Sequence, residues 1–124
     1  MENCIFCKII KGEAEAKKIY EDDFVLAFAT RGPVSEGHTL VIPKEHCESI
    51  LDISAESLAK VMEVARSLAL KIKTEVGATG VNVLHAAGVD AQQSVFHFHM
   101  HIVPRYPNDR LDLWYQSGIE KDKK

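Results

Sequence analysis

Apolar residues recur at the period of an amphipathic helix across the middle of the chain. Ser54 is a suitable N-cap, Glu56 lies in the first turn where a helix favours negative charge, and Gly77 or Gly80 can end the helix. Between these ends the apolar positions follow the i, i+3, i+4, i+7 spacing: Leu58, Val61, Met62, Ala65, Leu68, Ala69, Ile72 and Val76. The pattern predicts one long helix with a buried face.

A shorter helical pattern covers residues 4–11, and Gly12 is placed to end it. Strands are predicted where β-branched and aromatic residues cluster between turn residues. In chain order they are residues 19–20, 24–29, 38–43, 80–84 and 97–105, with loops at 31–37 and 87–93. Three strands, a long helix and two further strands predict an α+β fold with a largely antiparallel sheet.

The last predicted strand carries three histidines at alternate positions. Successive side chains of a strand point to opposite faces, so His97, His99 and His101 share one face. The opposite face is apolar: Phe98, Met100 and Ile102. Imidazole can bind a metal, or it can act as a nucleophile and proton carrier near neutral pH. The alternative is a half-buried strand that is rich in histidine by chance. Packing alone does not require histidine at these three positions.

Cys4 and Cys7 form a C-x-x-C pair, which supplies half of a tetrahedral zinc site. The candidates for the two remaining ligands are His46, Cys47 and one histidine of the triad. A thioredoxin-like redox pair is a competing interpretation, although no βαβ pattern surrounds the motif. Two ordinary buried thiols are the third interpretation.

Composition narrows the class of protein. A chain of 124 residues, 46% hydrophobic and 27% charged, fits one domain with one core. The formal net charge of -3 disfavours nucleic acid as a partner but allows a small anion in a local pocket. Neither a signal-peptide pattern nor a membrane-spanning apolar run is present. With three cysteines and no secretory context, we expect a cytoplasmic protein without disulfides or a membrane partner.

A short polar loop precedes the triad directly, at Gln93, Ser94 and Val95. Backbone N–H groups, an amide and a hydroxyl in such a loop can bind phosphate oxygens. Polar loops are common, so this pattern indicates phosphate binding only in combination with the histidines beside it.

Three segments together resemble the histidine triad (HIT) family. They read QSVFHFHMHIVPR at residues 93–105, GHTLVIPKEH at residues 37–46 and CIFCKII at residues 4–10. The chain is most similar to the small bacterial-type, zinc-containing members of the Hint-like branch. The resemblance implies an α+β fold with a five-stranded antiparallel sheet, one long helix and a short N-terminal helix. It also implies a homodimer whose two sheets join across the interface.

The resemblance covers the chain from residue 4 to about 106. We therefore expect residues 1–124 to form a single HIT domain, with a C-terminal tail over residues 107–124. The charge run at residues 120–124 is expected to be solvated.

The activity that the resemblance implies is nucleotidyl transfer or hydrolysis. The substrate would be a purine nucleotide whose α-phosphate carries a leaving group, as in a phosphoramidate, an acyl-adenylate or a dinucleoside polyphosphate. By position, Nε2 of His99 would attack phosphorus and form a covalent intermediate that water hydrolyses. A backbone carbonyl that accepts from Nδ1–H would select this tautomer. His101 and His38 would serve as donors and proton carriers, and the 93–95 loop would bind the same phosphate oxygens.

The family's metal ligands also carry over by position. They map to Cys4, Cys7, His46 and His97, which would hold one structural Zn²⁺ per chain in a closed Cys₂His₂ site. The base would lie in an apolar slot with Phe6, Ile9 and Phe28 as walls. Ordinary core packing explains those three residues nearly as well.

Three residues depart from the family's pattern. Thr30 stands where Asp or Asn usually binds the ribose hydroxyls, and a single hydroxyl cannot accept hydrogen bonds as a carboxylate does. Ala86 replaces a side-chain amide near the phosphate, and Gln92 replaces a common Gly. Thr30 and Ala86 support a second hypothesis, a nucleotide-binding regulatory protein with a weakened catalytic site. A third is a metalloenzyme in which the three triad histidines bind a catalytic zinc ion.

Overall fold

A five-stranded antiparallel sheet forms the centre of the structure, a computed structural model that describes residues 3–114. The strands are β1 (Lys18–Glu21), β2 (Val25–Ala29), β3 (Thr39–Pro43), β4 (Gly80–Leu84) and β5 (Met100–Arg105). Their order across the sheet is β1-β2-β3-β5-β4, and every neighbouring pair is antiparallel. The predicted α+β fold is therefore confirmed, and β5 lies inside the sheet between β3 and β4.

Two α-helices accompany the sheet, α1 (Ile5–Lys11) and α2 (Ala55–Val76). The hydroxyl of Ser54 accepts from the N–H of Ser57 at 3.1 Å and caps α2, as predicted. Gly77, rather than Gly80, ends this helix in the left-handed conformation with φ of 70°. A short 3₁₀ turn (Val89–Ala91) occupies part of the predicted 87–93 loop.

The two helices cover opposite faces of the sheet. On one face α2 packs through apolar residues such as Val61 and Leu68 against strand residues that include Val41. On the other face α1 contributes Phe6 and Ile9 to a second apolar cluster with residues of β2 and β3. Complete burial of a large apolar side chain contributes about 1.5–3 kcal/mol, so each cluster anchors its helix strongly. His97 and His99 lie on the face that carries α1, where both contact Phe6.

The predicted strand at residues 97–105 is wrong at its start, because β5 begins at Met100. The N–H of Phe98 donates to the carbonyl of Cys47 at 2.7 Å, and this bond draws the preceding residues away from the ladder. The predicted alternation nevertheless holds. Its apolar members all belong to the cluster under α2: Phe98, Met100 and Ile102.

The remaining strand boundaries agree with the prediction to within one residue. Within the described part of the chain, no helix has the length and apolar character needed to cross a membrane. The charge run at residues 120–124 lies outside the described residues.

Candidate functional site

His99 lies where the chain enters β5, and only 7% of its surface is exposed. Its Nδ1–H donates to the carbonyl of His97 at 2.7 Å. A neutral imidazole carries one N–H, so this bond leaves Nε2 with a free lone pair. Burial lowers the pKa of His99, which keeps the ring neutral at pH 7. The ring of Phe6 meets it edge-on at 5.2 Å between centroids and holds its orientation. The result is a buried, neutral imidazole with an available nucleophilic nitrogen.

A chain of hydrogen bonds connects His38 to His101. The N–H of Val34 donates to Nδ1 of His38 at 3.1 Å, so Nε2 of His38 must carry the ring proton. That Nε2–H then donates to Nδ1 of His101 at 3.0 Å. The second nitrogen of His101 therefore carries a proton, and the two rings of His99 and His101 lie 5.0 Å apart between centroids. A proton donor thus stands beside the free lone pair of His99.

Burial keeps this pair of rings neutral as well. It lowers the pKa of His38, and burial together with neighbouring imidazoles lowers the pKa of His101 to about 4. Both rings are therefore uncharged near pH 7, which is the state that the tautomer assignment requires.

A second cluster brings together two thiols and two imidazoles. The Sγ atoms of Cys4 and Cys7 and the Nδ1 atoms of His46 and His97 all lie within 4.8 Å of one another. Nδ1 of His97 lies 3.4 Å from Sγ of Cys4, 3.6 Å from Sγ of Cys7 and 3.1 Å from Nδ1 of His46. In a tetrahedral zinc site with ordinary bond lengths, the ligand atoms are roughly 3.3–3.8 Å apart. The donor types and their spacing therefore fit zinc.

The orientation of His97 also suits a metal ligand. Its Nε2–H donates to the carbonyl of Pro43 at 2.8 Å, which turns Nδ1 toward the two thiols. Burial lowers the pKa of His97 to about 4, so the ring is neutral, as metal binding requires. Burial and the neighbouring thiol of Cys4 raise the pKa of Cys7, and a bound cation would favour its thiolate.

Cys47, the other candidate ligand, does not join this cluster. It packs against the apolar cluster under α2, and burial raises the pKa of its thiol to about 11. Across residues 3–114, the four-residue cluster is the group found with metal-binding geometry, and it includes neither His99 nor His101. The structure therefore gives no support to a metal ion shared by the three triad histidines.

The three predicted residues of the loop that precedes the triad have different hydrogen-bonding roles. The side-chain amide of Gln93 is buried and accepts from the N–H of Gly88 at 2.7 Å, while it donates to the carbonyl of Glu48 at 2.6 Å. The Gln93 side chain therefore closes the loop at Gly88 and attaches it to Glu48. Ser94 is exposed, and within residues 3–114 the N–H groups of Ser94 and Val95 donate to no other group. Those two N–H groups are the ones available to an anion.

Gln92 adopts the left-handed conformation, with φ of 72° and ψ of 27°. This region suits glycine and disfavours other L-residues because of the Cβ atom. The departure from glycine noted in the sequence thus places a side chain at a left-handed position, which costs local backbone strain.

An open cleft of about 840 Å³ lies beside α1 and β2. Ile9, Phe28 and Thr30 all line it, together with Arg31. The fourth predicted pocket residue, Phe6, packs edge-on against Phe28 at 5.4 Å between centroids and also contacts His99. The structure therefore places Ile9 and Phe28 on the wall of the cleft, and Phe6 lies between Phe28 and His99. The same side chains are part of the core beneath α1.

Sequence reasoning gave no role to His85, which the structure connects to the triad. Its Nδ1 bonds to the carbonyl of His99 at 3.1 Å, and its ring stacks on Phe98. The available signal was a histidine at the end of a predicted strand that pairs with the triad strand. Register between the two strands cannot be read from the pattern alone.

Comparison with known proteins adds independent findings. A family model described as the HIT domain matches residues 11–108. "Protein hit" of Bacillus subtilis (strain 168) is 48% identical over 105 residues, which cover 85% of this chain and 72% of that protein. The adenosine 5'-monophosphoramidase hnt1 of Schizosaccharomyces pombe is 40% identical over 111 residues, 90% of this chain and 80% of that protein. A zinc-bound histidine triad family protein from Mycobacterium smegmatis has 38% identity and a TM-score of 0.86, covering 90% and 81% of the two chains.

Proposed function

Because this chain belongs to the HIT domain family, we propose that it is a nucleotide hydrolase or transferase in which His99 forms a covalent nucleotidyl intermediate. The observation that carries the proposal is the bond from Nδ1–H of His99 to the carbonyl of His97, which frees Nε2 in a neutral ring. Similarity to an adenosine 5'-monophosphoramidase supports an adenosine phosphoramidate as substrate. An acyl-adenylate and a dinucleoside polyphosphate are the other nucleotide conjugates that we propose.

In the first step, Nε2 of His99 attacks the α-phosphorus and the bond from phosphorus to the leaving group breaks. The leaving group takes the Nε2 proton of His101, and the hydrogen bond from Nε2–H of His38 to Nδ1 stabilises the negative charge left on the His101 ring. The nucleotidylated ring of His99 carries a positive charge, which the carbonyl of His97 stabilises through Nδ1–H.

In the second step, water attacks phosphorus and the bond to Nε2 of His99 breaks. His101, now without its Nε2 proton, accepts a proton from that water. The N–H groups of Ser94 and Val95 would stabilise the charge on the phosphate oxygens. Loss of one such donor typically costs ~3–4 kcal/mol of transition-state stabilisation.

The nucleoside would occupy the cleft beside α1. Ile9 and Phe28 offer an apolar wall for a purine, backed by Phe6, and Thr30 lines the same cleft, so we propose that its hydroxyl contacts the ribose. The hydroxyl of Thr30 already accepts weakly from the N–H of Gly32 at 3.4 Å, and a single hydroxyl cannot replace a carboxylate at a diol. We therefore expect looser ribose recognition than the family's pattern implies.

We also propose that Cys4, Cys7, His46 and His97 hold one zinc ion in a structural role. The donor types support this, as do the separations of 3.4, 3.6 and 3.1 Å from Nδ1 of His97 to the other three ligand atoms. The similarity to a zinc-bound family member supports it as well. Four protein ligands leave no open position, so the metal would stabilise the fold. It would attach the residue that caps α1, Cys4, to the chain that enters β5. Thiol ligands require a reducing compartment, which supports a cytoplasmic location.

A second copy of this chain is the partner that we propose for the edge of the sheet formed by β4. β4 is an edge strand, and Val83 on it is 44% exposed. Beside it lies an apolar groove of about 450 Å³ that includes Met62, Leu70 and Val81. Leu70 is 62% exposed, which is unusual for the middle of a packed helix. Light scattering should give a dimer for the wild type and a monomer for Leu70→Glu.

Turnover of an adenosine 5'-phosphoramidate tests the enzymatic proposal. We expect release of ammonia and AMP at a rate that requires catalytic amounts of protein. Calorimetry with AMP in parallel addresses the regulatory alternative that Thr30 and Ala86 suggest. Micromolar AMP binding without turnover of a phosphoramidate, an acyl-adenylate or a dinucleoside polyphosphate would contradict an enzyme and favour a binding protein.

A further inference from the structure

We infer that His85 is a positioning residue that holds the backbone of His99 in place for nucleophilic attack. The inference rests on the proposed function, because it concerns the histidine that attacks phosphorus. His85 lies directly after β4, and it contacts the triad through its side chain rather than through the sheet ladder.

The hydrogen bonds of His85 determine its tautomer. Its Nε2 accepts from the N–H of Ile50 at 3.0 Å, so this nitrogen carries no proton. Nδ1 must then be protonated, and it donates to the carbonyl of His99 at 3.1 Å. Both ring nitrogens are occupied, which removes His85 from the candidates for substrate or metal binding.

His85 acts at the point where the sheet stops supporting the chain. The ladder between β4 and β5 ends at the pair Leu84 and His101, and the ladder between β3 and β5 ends at Val41 and Met100. His99 therefore lies beyond the ladder on both sides. The bond from His85 restrains its carbonyl where backbone pairing no longer does.

Packing holds the His85 ring in the required plane. It stacks on Phe98 with 4.4 Å between centroids and 25° between planes. Phe98 is completely buried in the cluster under α2, so it forms a rigid base. The ring and its two hydrogen bonds thus connect the hydrophobic core to the backbone of the nucleophile.

Hydrogen bonds also connect His85, and through it His99, to the loop that would bind phosphate. Ile50, which donates to His85, lies in a turn where the carboxylate of Asp52 accepts from the N–H of Glu48. The carbonyl of Glu48 accepts in turn from the side chain of Gln93. His99 and the 93–95 loop are therefore both anchored to one short segment. This shared anchor sets the distance between the nucleophile and the phosphate donors.

Two substitutions separate the hydrogen bond from the packing. His85→Phe keeps a ring over Phe98 and loses both hydrogen bonds. His85→Asn places an amide nitrogen where Nδ1 stood and retains a donor for the carbonyl of His99. With an adenosine phosphoramidate, we expect kcat of the Phe variant to fall about tenfold, since small errors in position slow an oriented attack steeply. The Asn variant should stay within about threefold of wild type, and KM within about twofold in both.

A spectroscopic measurement reads the positioning without turnover. The ¹⁵N shifts of the His99 ring should report one Nδ1–H tautomer in the wild type and the Asn variant, and a mixture in the Phe variant. If the Phe variant does not fold, His85→Leu replaces it, because Leu also lacks both hydrogen-bonding groups.

Three results would overturn the inference: kcat of the Phe variant within twofold of wild type, equal losses in the two variants, or a loss confined to KM. If the wild type itself turns over no substrate, the proposed function fails instead. The ¹⁵N shifts then decide the positioning role, and an unchanged His99 tautomer in the Phe variant would refute it.

Discussion

His97 and His99 are separated by one residue and lie on the same side of the chain, yet their surroundings assign them opposite roles. Nδ1 of His97 faces two thiols and the ring of His46, while its Nε2–H is bound to the carbonyl of Pro43. In His99 it is Nδ1–H that is bound to a carbonyl, and Nε2 is left free. One ring is closed into a structural cluster, and the other presents a reactive nitrogen.

The hydrogen-bond acceptor beside each ring selects which of its two nitrogens is free to react. Both histidines are buried, and burial lowers the pKa of both. Burial alone therefore does not distinguish them. The ring nitrogen whose N–H is bound to a backbone carbonyl has no free lone pair. The carbonyl therefore decides whether Nδ1 or Nε2 is available as a ligand or a nucleophile.

The comparison is tested most strongly by removing one histidine from each region. His99→Ala should lower kcat for an adenosine phosphoramidate by about a thousandfold or more, because the covalent route is lost. Its melting temperature should change little. His46→Ala should instead lower zinc content below one ion per chain and the melting temperature by roughly 10 °C, while folded protein keeps most of its activity. Steady-state kinetics, metal analysis and thermal melts measure these effects, and a reversed pattern would refute the division of roles.

The hydrogen bonds that connect Val34, His38 and His101 are tested by His38→Ala, which removes the donor to Nδ1 of His101. We expect kcat to fall about a hundredfold, as for the loss of a general acid–base group. Val34→Ala is the matched control, because it changes an exposed side chain and keeps the N–H that bonds to His38. Equal kcat values for the two variants would contradict a role for the hydrogen bond from His38 to His101.

The pH dependence of stability sharpens the account of the buried rings. The pKa of His101 is lowered to about 4 in the folded protein, against about 6.5 when unfolded. Below pH 6.5 the unfolded state binds more protons, so the stabilisation is complete above pH 6.5 and is lost as pH falls toward 4. The loss should be about 1–3 kcal/mol in urea titrations. His101→Gln should show a flatter profile over this range, and an unchanged profile would exclude His101 as the cause.

The smallest effect is expected at Gln92, next to the 93–95 loop. Gln92→Gly relieves a side chain held at φ of 72° and should stabilise the protein by up to about 1 kcal/mol. Activity should stay within about twofold, since the change leaves the turn in place. Thermal melts and kcat measure both, and a clear loss of stability would show that the Gln92 side chain makes a contribution that outweighs the strain.

The fold was largely predictable from local pattern. The 3.6-residue period between Ser54 and Gly77 predicts α2, and alternation at residues 97–102 places the histidines opposite the core. The start of β5 was not predictable, because it depends on a hydrogen bond from Phe98 to Cys47, a contact between residues distant in the chain. Propensity and periodicity contain no information about such a contact.

Within the candidate site, residue types were predictable and hydrogen-bond partners were not. Spacing and resemblance named Cys4, Cys7, His46 and His97 as metal ligands, and the structure gathers these four. The tautomers of His38 and His85 depend on the N–H groups of Val34 and Ile50, which approach only in the folded chain. Likewise, sequence suggested that Gln93 faces phosphate, whereas its amide is bonded to the N–H of Gly88 and to the carbonyl of Glu48.

The central claim is that Nε2 of His99 forms a bond to phosphorus during turnover. Mass spectrometry of the wild type, quenched in acid-free denaturant while it consumes a slow adenosine phosphoramidate, measures this directly. The account predicts a mass increase of one adenylyl group, located on His99 in fragment spectra and absent from His99→Ala. An adenylyl group attached to any other residue, or turnover with no adduct at any quench time, would contradict it.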